Sequence, residues 1–337
     1  MKKARVVMAS VLAIGTAQFA AAQKINGAGA TFPAIIYQKW FDEYHKLHPD
    51  IQINYQSIGS GGGVAQLTAG TVDFGASDYP LTDDQASKMK VKVLHFPTVL
   101  GGVVPAYNIP GITQDLKFTG ETLAGIFLGN IKKWNDPSLT KDNPGVKLPN
   151  EDIQVVHRSE GSGTTFCFTD YLSKISPDWK SKVGAAGSVS WPVGTGGKGN
   201  EAVAGTIKQI PNSIGYVELG YAVQTKMLYG SVRNAAGNFV KCDFNSVTEV
   251  AAGAAKTMPA DFRVSITNAP EKNAYPITTF TWLLVPTKIP DAGKATAIKG
   301  FLQWMLTDGQ KFAAGLGYAP LPKEVVAKET KQIAEIK

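Results

Sequence analysis

Between His157 and Thr165 the chain reads HRSEGSGTT: one arginine, one acid, hydroxyls at Ser159, Ser162, Thr164 and Thr165, and glycines at 161 and 163. Glycine lets a ligand come close to the backbone, hydroxyls donate, and Arg158 supplies a permanent cation with a planar fork of donors. Three chemistries suit such a loop: holding a nucleotide, carrying an acyl group on a nucleophilic serine, or enclosing a small oxyanion. The P-loop pattern GxxxxGK[ST] is absent, since Gly197-Lys198 is followed by Gly199. GTGGKG, from Gly194 to Gly199, matches GxGxxG after a possible strand at 188–193 and before a helical stretch at 200–207, with Glu218 downstream. A lone match in mid-chain carries little weight, and it reads better as a glycine-rich turn near a cleft. A serine hydrolase needs an activated serine with a base, yet GxSxG is absent around Ser60 and Ser162, and His157 alone of the four histidines lies near a candidate serine. His45 and His48, at the end of an amphipathic helix and without evident partners, read as residues near a helix C-terminus rather than metal ligands. What remains is an oxyanion site with Arg158, Ser162 and Thr164 as donors; a surface ion pair is the lesser alternative for Arg158 taken alone.

The same chemistry recurs upstream. GAGATFP (27–33) precedes a first helix, SIGSGGG (57–63) precedes a helical stretch at 64–69, and GSGTT precedes one at 166–175. Each is a glycine-rich, hydroxyl-bearing approach to a helix N-terminus, where unpaired N–H groups and the helix dipole favour an anion. Individually, Thr31, Ser60 and Ser162 read first as ordinary helix caps and turn residues; three together, one beside an arginine, favour the anion site. The elements that position them alternate. Strands are expected at 51–55, 93–99, 102–109, 153–158, 214–219 and 278–285. A first helix buries Ile36, Trp40, Tyr44 and Leu47, and a late one buries Ile298, Phe301, Leu302 and Met305. Such alternation predicts an α/β fold with mostly parallel sheets.

Residues 1–22 read as a cleavable secretory signal: Lys2, Lys3 and Arg5, then an apolar stretch at 6–17, then Ala20-Ala21-Ala22, with no cysteine at the cleavage point. An exported, soluble, periplasmic chain is expected, long enough for two domains. Without the three signal cations the formal charge of +7 falls to +4, a mild excess lacking the dense basic run of nucleic-acid binders. Cys167 is expected on the buried side of a helix; the compartment permits a disulfide with Cys242, but sequence does not place the two together.

GAGATFP, YQSIGSGGGV, TVDFGASDYPL, FPTVLGGVV, GNIKKWNDP, GSGTTFCFTDYL, GTGGKGN and SIGYVE occur in this order over nearly the whole chain after residue 22. In this the sequence resembles the periplasmic phosphate-binding proteins of phosphate-specific ABC transporters. The resemblance implies a two-domain type II periplasmic binding protein, or Venus flytrap, with the ligand in the interdomain cleft. Domain I would comprise 23–99 and 276–337, domain II 100–275, with Pro97 and Pro276 stiffening the crossings. It implies a non-enzymatic, monomeric receptor for inorganic phosphate without metal or organic cofactor. The receptor would serve an inner-membrane permease driven by a cytoplasmic ATPase. The implied ligands are Thr31 with the Phe32 amide, Ser60, Asp78, Arg158, Ser162, Gly163 and Thr164. Asp78 is the telling residue: a carboxylate beside an anion makes sense if the guest carries a proton, as phosphate does and sulfate or molybdate does not. On the residues alone, Asp78 before Pro80 also fits an Asx turn. Glu160 stands where such proteins commonly carry aspartate, which leaves its contact with Arg158 open. The competing readings are a receptor for a sulfate-class oxyanion and a periplasmic phosphatase or esterase using Ser162.

Overall fold

The structure, a computed structural model, describes residues 23–337; the expected signal segment lies outside the described residues. The strands, in chain order, are β1 (Gln23–Gly29), β2 (Ile51–Ser57), β3 (Phe74–Ser77) and β4 (Val93–Asn108), then β5 (Lys117–Phe118), β6 (Gln154–Arg158), β7 (Thr195–Gly197) and β8 (Ser213–Glu218). The last four are β9 (Leu228–Tyr229), β10 (Ser231–Arg233), β11 (Phe239–Val240) and β12 (Thr278–Pro286). The main sheet runs β2-β1-β3-β12-β4-β8-β6-β7, with β9 also on β4; β11-β10-β5 form a small second sheet.

The long strand β4 makes this one sheet into two halves. Its residues up to Gly102 pair antiparallel with β12, and from Val103 onward it pairs antiparallel with β8. In the first half β2, β1 and β3 run parallel; in the second, β8, β6 and β7 do. Parallel strands need helical crossovers, which cover the faces and bury the core. Over the first half, Tyr37, Trp40, Phe41 and Tyr44 of the helix Ala34–Leu47 are buried with Phe301 of the helix Ala292–Leu306. In the second half, Phe168 stacks on Tyr216 at 4.5 Å between centroids, a contact worth about 0.5–1.5 kcal/mol beyond its buried area. Gly63 allows the close approach of the helix Ser60–Ala69 to β1: a Cβ there would lie 2.5 Å from the Ala28 carbonyl oxygen.

Several sequence expectations need correction. The strands expected at 93–99 and 102–109 are one continuous strand, and Pro97 sits inside its pairing with β12 rather than at the handover at Gly102/Val103. The ladder tolerates this proline because β4 bulges against β12 where the register shifts between Thr281 and Trp282. Leu47 is 62% exposed, because the helical face has rotated off the core by its last residue. Residues 188–193 form no strand; the glycine run itself supplies β7 and leads into the helix Gly199–Gln209. Cys167 and Cys242 are both free and buried.

Candidate functional site

In each half the parallel strands end at the same rim, and their carboxyl ends carry the polar residues, as is usual for ligand crevices in α/β sheets. Thr31 and Phe32 follow β1, Ser60 opens the helix after β2, Asp78 follows β3, and Arg158 ends β6 directly before the helix Gly163–Ile175. Thr31, Phe32, Ser60, Asp78, Arg158, Ser162 and Thr164 are all at most 2% exposed.

The two rims meet. The Gly163 amide donates to Ser60 Oγ across the junction at 3.0 Å, and the Gly61 amide donates to the Gly161 carbonyl at 2.9 Å. A Cβ on Gly163 would lie 2.5 Å from Asp78 Cβ and 2.6 Å from Ser60 Oγ, so glycine is what allows this approach. Ser60 Oγ also accepts from the Asp78 amide at 3.2 Å. Ser162 caps its helix, its Oγ accepting from the Thr165 amide at 3.1 Å, so the capping alternative holds for this serine. It does not hold for the other two hydroxyls: the caps of their helices are Gly59 and Pro33. The amides of Phe32 and Thr164 donate to no described residue, which leaves them free for an acceptor.

Arg158 is held from two sides. Its Nε donates to Glu160 Oε1 at 3.0 Å and its Nη2 to the same oxygen, while Nη1 donates to Thr164 Oγ1 at 3.2 Å. Glu160 Oε1 also accepts from the Gly199 amide at 3.0 Å, so the longer acid does orient the guanidinium and ties it to the glycine run. The remaining guanidinium N–H groups have no described acceptor. The Arg158 amide itself donates to the Tyr216 hydroxyl at 3.1 Å.

Asp78 faces inward. Its Oδ1 accepts from the Thr281 hydroxyl at 2.9 Å, whereas Oδ2 is buried without a partner. This is not the geometry of an Asx turn; Ser77, whose hydroxyl donates to the Tyr79 carbonyl, makes the local turn contact. Burial pushes the Asp78 carboxyl up from 3.8 to about 7, against the opposing pull of the Thr281 hydroxyl, the Arg158 charge and Ser60.

The His157 ring contacts the Arg158 carbonyl through Nδ1 at 2.9 Å and stacks on Trp191, and makes no hydrogen bond to Ser162. Among the described residues no cluster of three or more metal-ligating side chains occurs.

Sequence reasoning missed two residues. Thr281 sits in β12, where the buried threonines of TTFTW were the available sign. Asn200, fully buried, donates from Nδ2 to Thr31 Oγ1 at 2.8 Å and to Thr164 Oγ1 at 3.2 Å, and accepts the Glu218 amide on Oδ1 at 2.9 Å. It closes the GTGGKGN motif.

An α/β chain halved at β4, with a shell of donors closing between the halves, defines a two-domain binding protein. The family model described as the PBP superfamily domain matches residues 15–309. Phosphate-binding protein PstS of Xylella fastidiosa is 48% identical over 304 residues, covering 90% of this chain and 83% of that protein. PstS of Haemophilus influenzae is 47% identical over 319 residues, 94% of each. The chain therefore belongs to the PstS phosphate-binding protein family within that superfamily. In fold it is similar to a high-affinity periplasmic phosphate-binding protein solved with phosphate bound, with a TM-score of 0.75 at 21% identity, over 92% of this chain and 93% of that one. A phosphate-binding protein from Stenotrophomonas maltophilia gives 0.73 at 19% identity, over 92% and 94%.

Proposed function

We propose that this protein is a periplasmic receptor for inorganic phosphate that delivers it to an ABC-type permease, and that it has no catalytic role. The bound anion sits between the halves. Thr31, the Phe32 amide and Ser60 donate from one side; Arg158, Ser162 and Thr164 donate from the other, with Gly163 lining the site while its amide donates to Ser60 Oγ; Asp78 accepts the hydrogen of a P–O–H group. The hinge lies where the chain passes between 23–99 with 276–337 and 100–275. A guest touched by both halves stabilises the closed arrangement, because only there is its shell complete. The permease, with its cytoplasmic ATPase, meets the closed monomer at the rims.

The observation that carries this reading is the partnerless, buried Asp78 Oδ2 beside a set of donors. A fully deprotonated tetrahedral guest would set an acceptor against that oxygen, leaving a buried bond unmade at about 1–3 kcal/mol and more with charge. Sites built around such a bond discriminate by about 10⁴–10⁵. That disfavours sulfate and molybdate, and the position of His157 disfavours an esterase using Ser162.

Equilibrium dialysis with labelled phosphate, paired with a turnover assay on a chromogenic phosphate ester, tests the proposal. Saturable, stoichiometric phosphate binding without turnover is expected. Turnover that disappears in Ser162→Ala would overturn it.

A further inference from the structure

We infer that Asn200 is a positioning residue for the oxyanion shell: it turns the hydroxyl protons of Thr31 and Thr164, one from each half, toward the guest. The inference rests on the phosphate reading and adds to it a residue that touches no ligand.

A threonine hydroxyl has one proton to give and two lone pairs with which to accept. Thr31 Oγ1 accepts from the Asn200 amide at 3.3 Å and from its Nδ2 at 2.8 Å. Thr164 Oγ1 accepts from Asn200 Nδ2 and from Arg158 Nη1, both at 3.2 Å. Both oxygens are thus saturated as acceptors, and each hydroxyl is left with its proton alone to offer. A group in that state donates to an anion and resists any guest that brings a donor.

The orientation of the Asn200 side chain is not arbitrary. The Glu218 N–H can only donate, so the oxygen of the amide must face it and Nδ2 must face the two hydroxyls. Glu218 ends β8, so the hydrogen-bonded order runs from the sheet through one amide to both hydroxyls. Asn200 lies on the second half and Thr31 on the first, so the 2.8 Å bond also forms only when the rims meet. Preset donors need no reorientation when the anion arrives, which lowers the cost of binding.

The test is calorimetric titration of inorganic phosphate into five proteins stripped of anion by unfolding and refolding: wild type, Asn200→Asp, Asn200→Ala, Thr31→Val and the double variant Asn200→Ala/Thr31→Val. Asn200→Asp keeps the shape and the acceptor for the Glu218 amide but draws both hydroxyl protons toward itself. It is expected to weaken phosphate binding by about a hundredfold or more, and Asn200→Ala by about tenfold. In the Thr31→Val background the loss caused by Asn200→Ala is expected to shrink several-fold, because half of what Asn200 orients is gone. Equal losses in both backgrounds would mean that Asn200 acts by packing and would overturn the inference. So would an unchanged affinity in Asn200→Asp, whose thermal melt shows whether it is folded. Absence of phosphate heat in wild type would overturn the phosphate reading and this inference with it; wild-type heat together with an unaffected Asn200→Asp would overturn this inference alone.

Discussion

Replacing Asp78 by asparagine should make the ligand-free protein more stable and the receptor worse. Burial raises this carboxyl from 3.8 to about 7. Such a rise means that the folded state binds a proton more readily than the unfolded chain, so the group's favourable contribution is fully present below about pH 4 and lost as pH rises through 7. At the top of that window the buried charge costs on the order of 4 kcal/mol, at 1.36 kcal/mol per unit. Asparagine carries no charge and can still accept from Thr281 through its oxygen, although its amide nitrogen lacks a described acceptor, which returns about 1–3 kcal/mol. The variant is therefore expected to be more stable than wild type by about 1–3 kcal/mol at pH 8, with the difference growing between pH 4 and 7 and level above. Phosphate affinity is expected to fall roughly tenfold to a hundredfold, the value of a hydrogen bond to a charged acceptor. Denaturant melts in phosphate-free buffer across that pH range, with calorimetry at pH 8, read both quantities. A variant less stable than wild type at pH 8, or a stability difference without pH dependence, would refute the account of Asp78 as a carboxylate held at the cost of folding free energy.

Gly163→Ala places a Cβ against Asp78 and Ser60 across the junction; phosphate affinity is expected to drop at least about tenfold, read by calorimetry. Arg158→Ala removes the cation and leaves Glu160 without its partner; labelled-phosphate dialysis is expected to show a loss exceeding about thirtyfold, and an unchanged affinity would remove Arg158 from the site. The thiols of Cys167 and Cys242 are buried and pushed up by desolvation; a thiol reagent is expected to find neither in the native protein and both after unfolding without reductant.

The chemistry at the rims was legible in the sequence because it is local. Glycine runs beside hydroxyls mark helix N-termini, and Arg158, Ser162, Gly163 and Thr164 lie within one loop. Strand alternation likewise placed β2, β6, β8 and β12 to within a few residues. What failed was non-local. Pro97 and the Gly101-Gly102 pair look like a break, yet β4 continues because strands on both sides hold it and a bulge absorbs the proline. Leu47 continues the apolar spacing, but whether a helix end meets the core is decided by its neighbours. Asn200 and Thr281 carry no local signature: each matters through partners at least 18 residues away in the chain. Glu160 was legible as a residue and not as a contact, since its reach to Arg158 and to the Gly199 amide depends on where β7 lies beside β6.

The central claim is that Asp78 reads a proton on the guest, and competition between phosphate and sulfate at pH 8, where the carboxyl is charged, addresses it most directly. With sulfate in large excess in the calorimeter cell, the account predicts a phosphate isotherm unchanged from that in sulfate-free buffer. A sulfate excess that displaces or weakens phosphate in proportion to its concentration would contradict it.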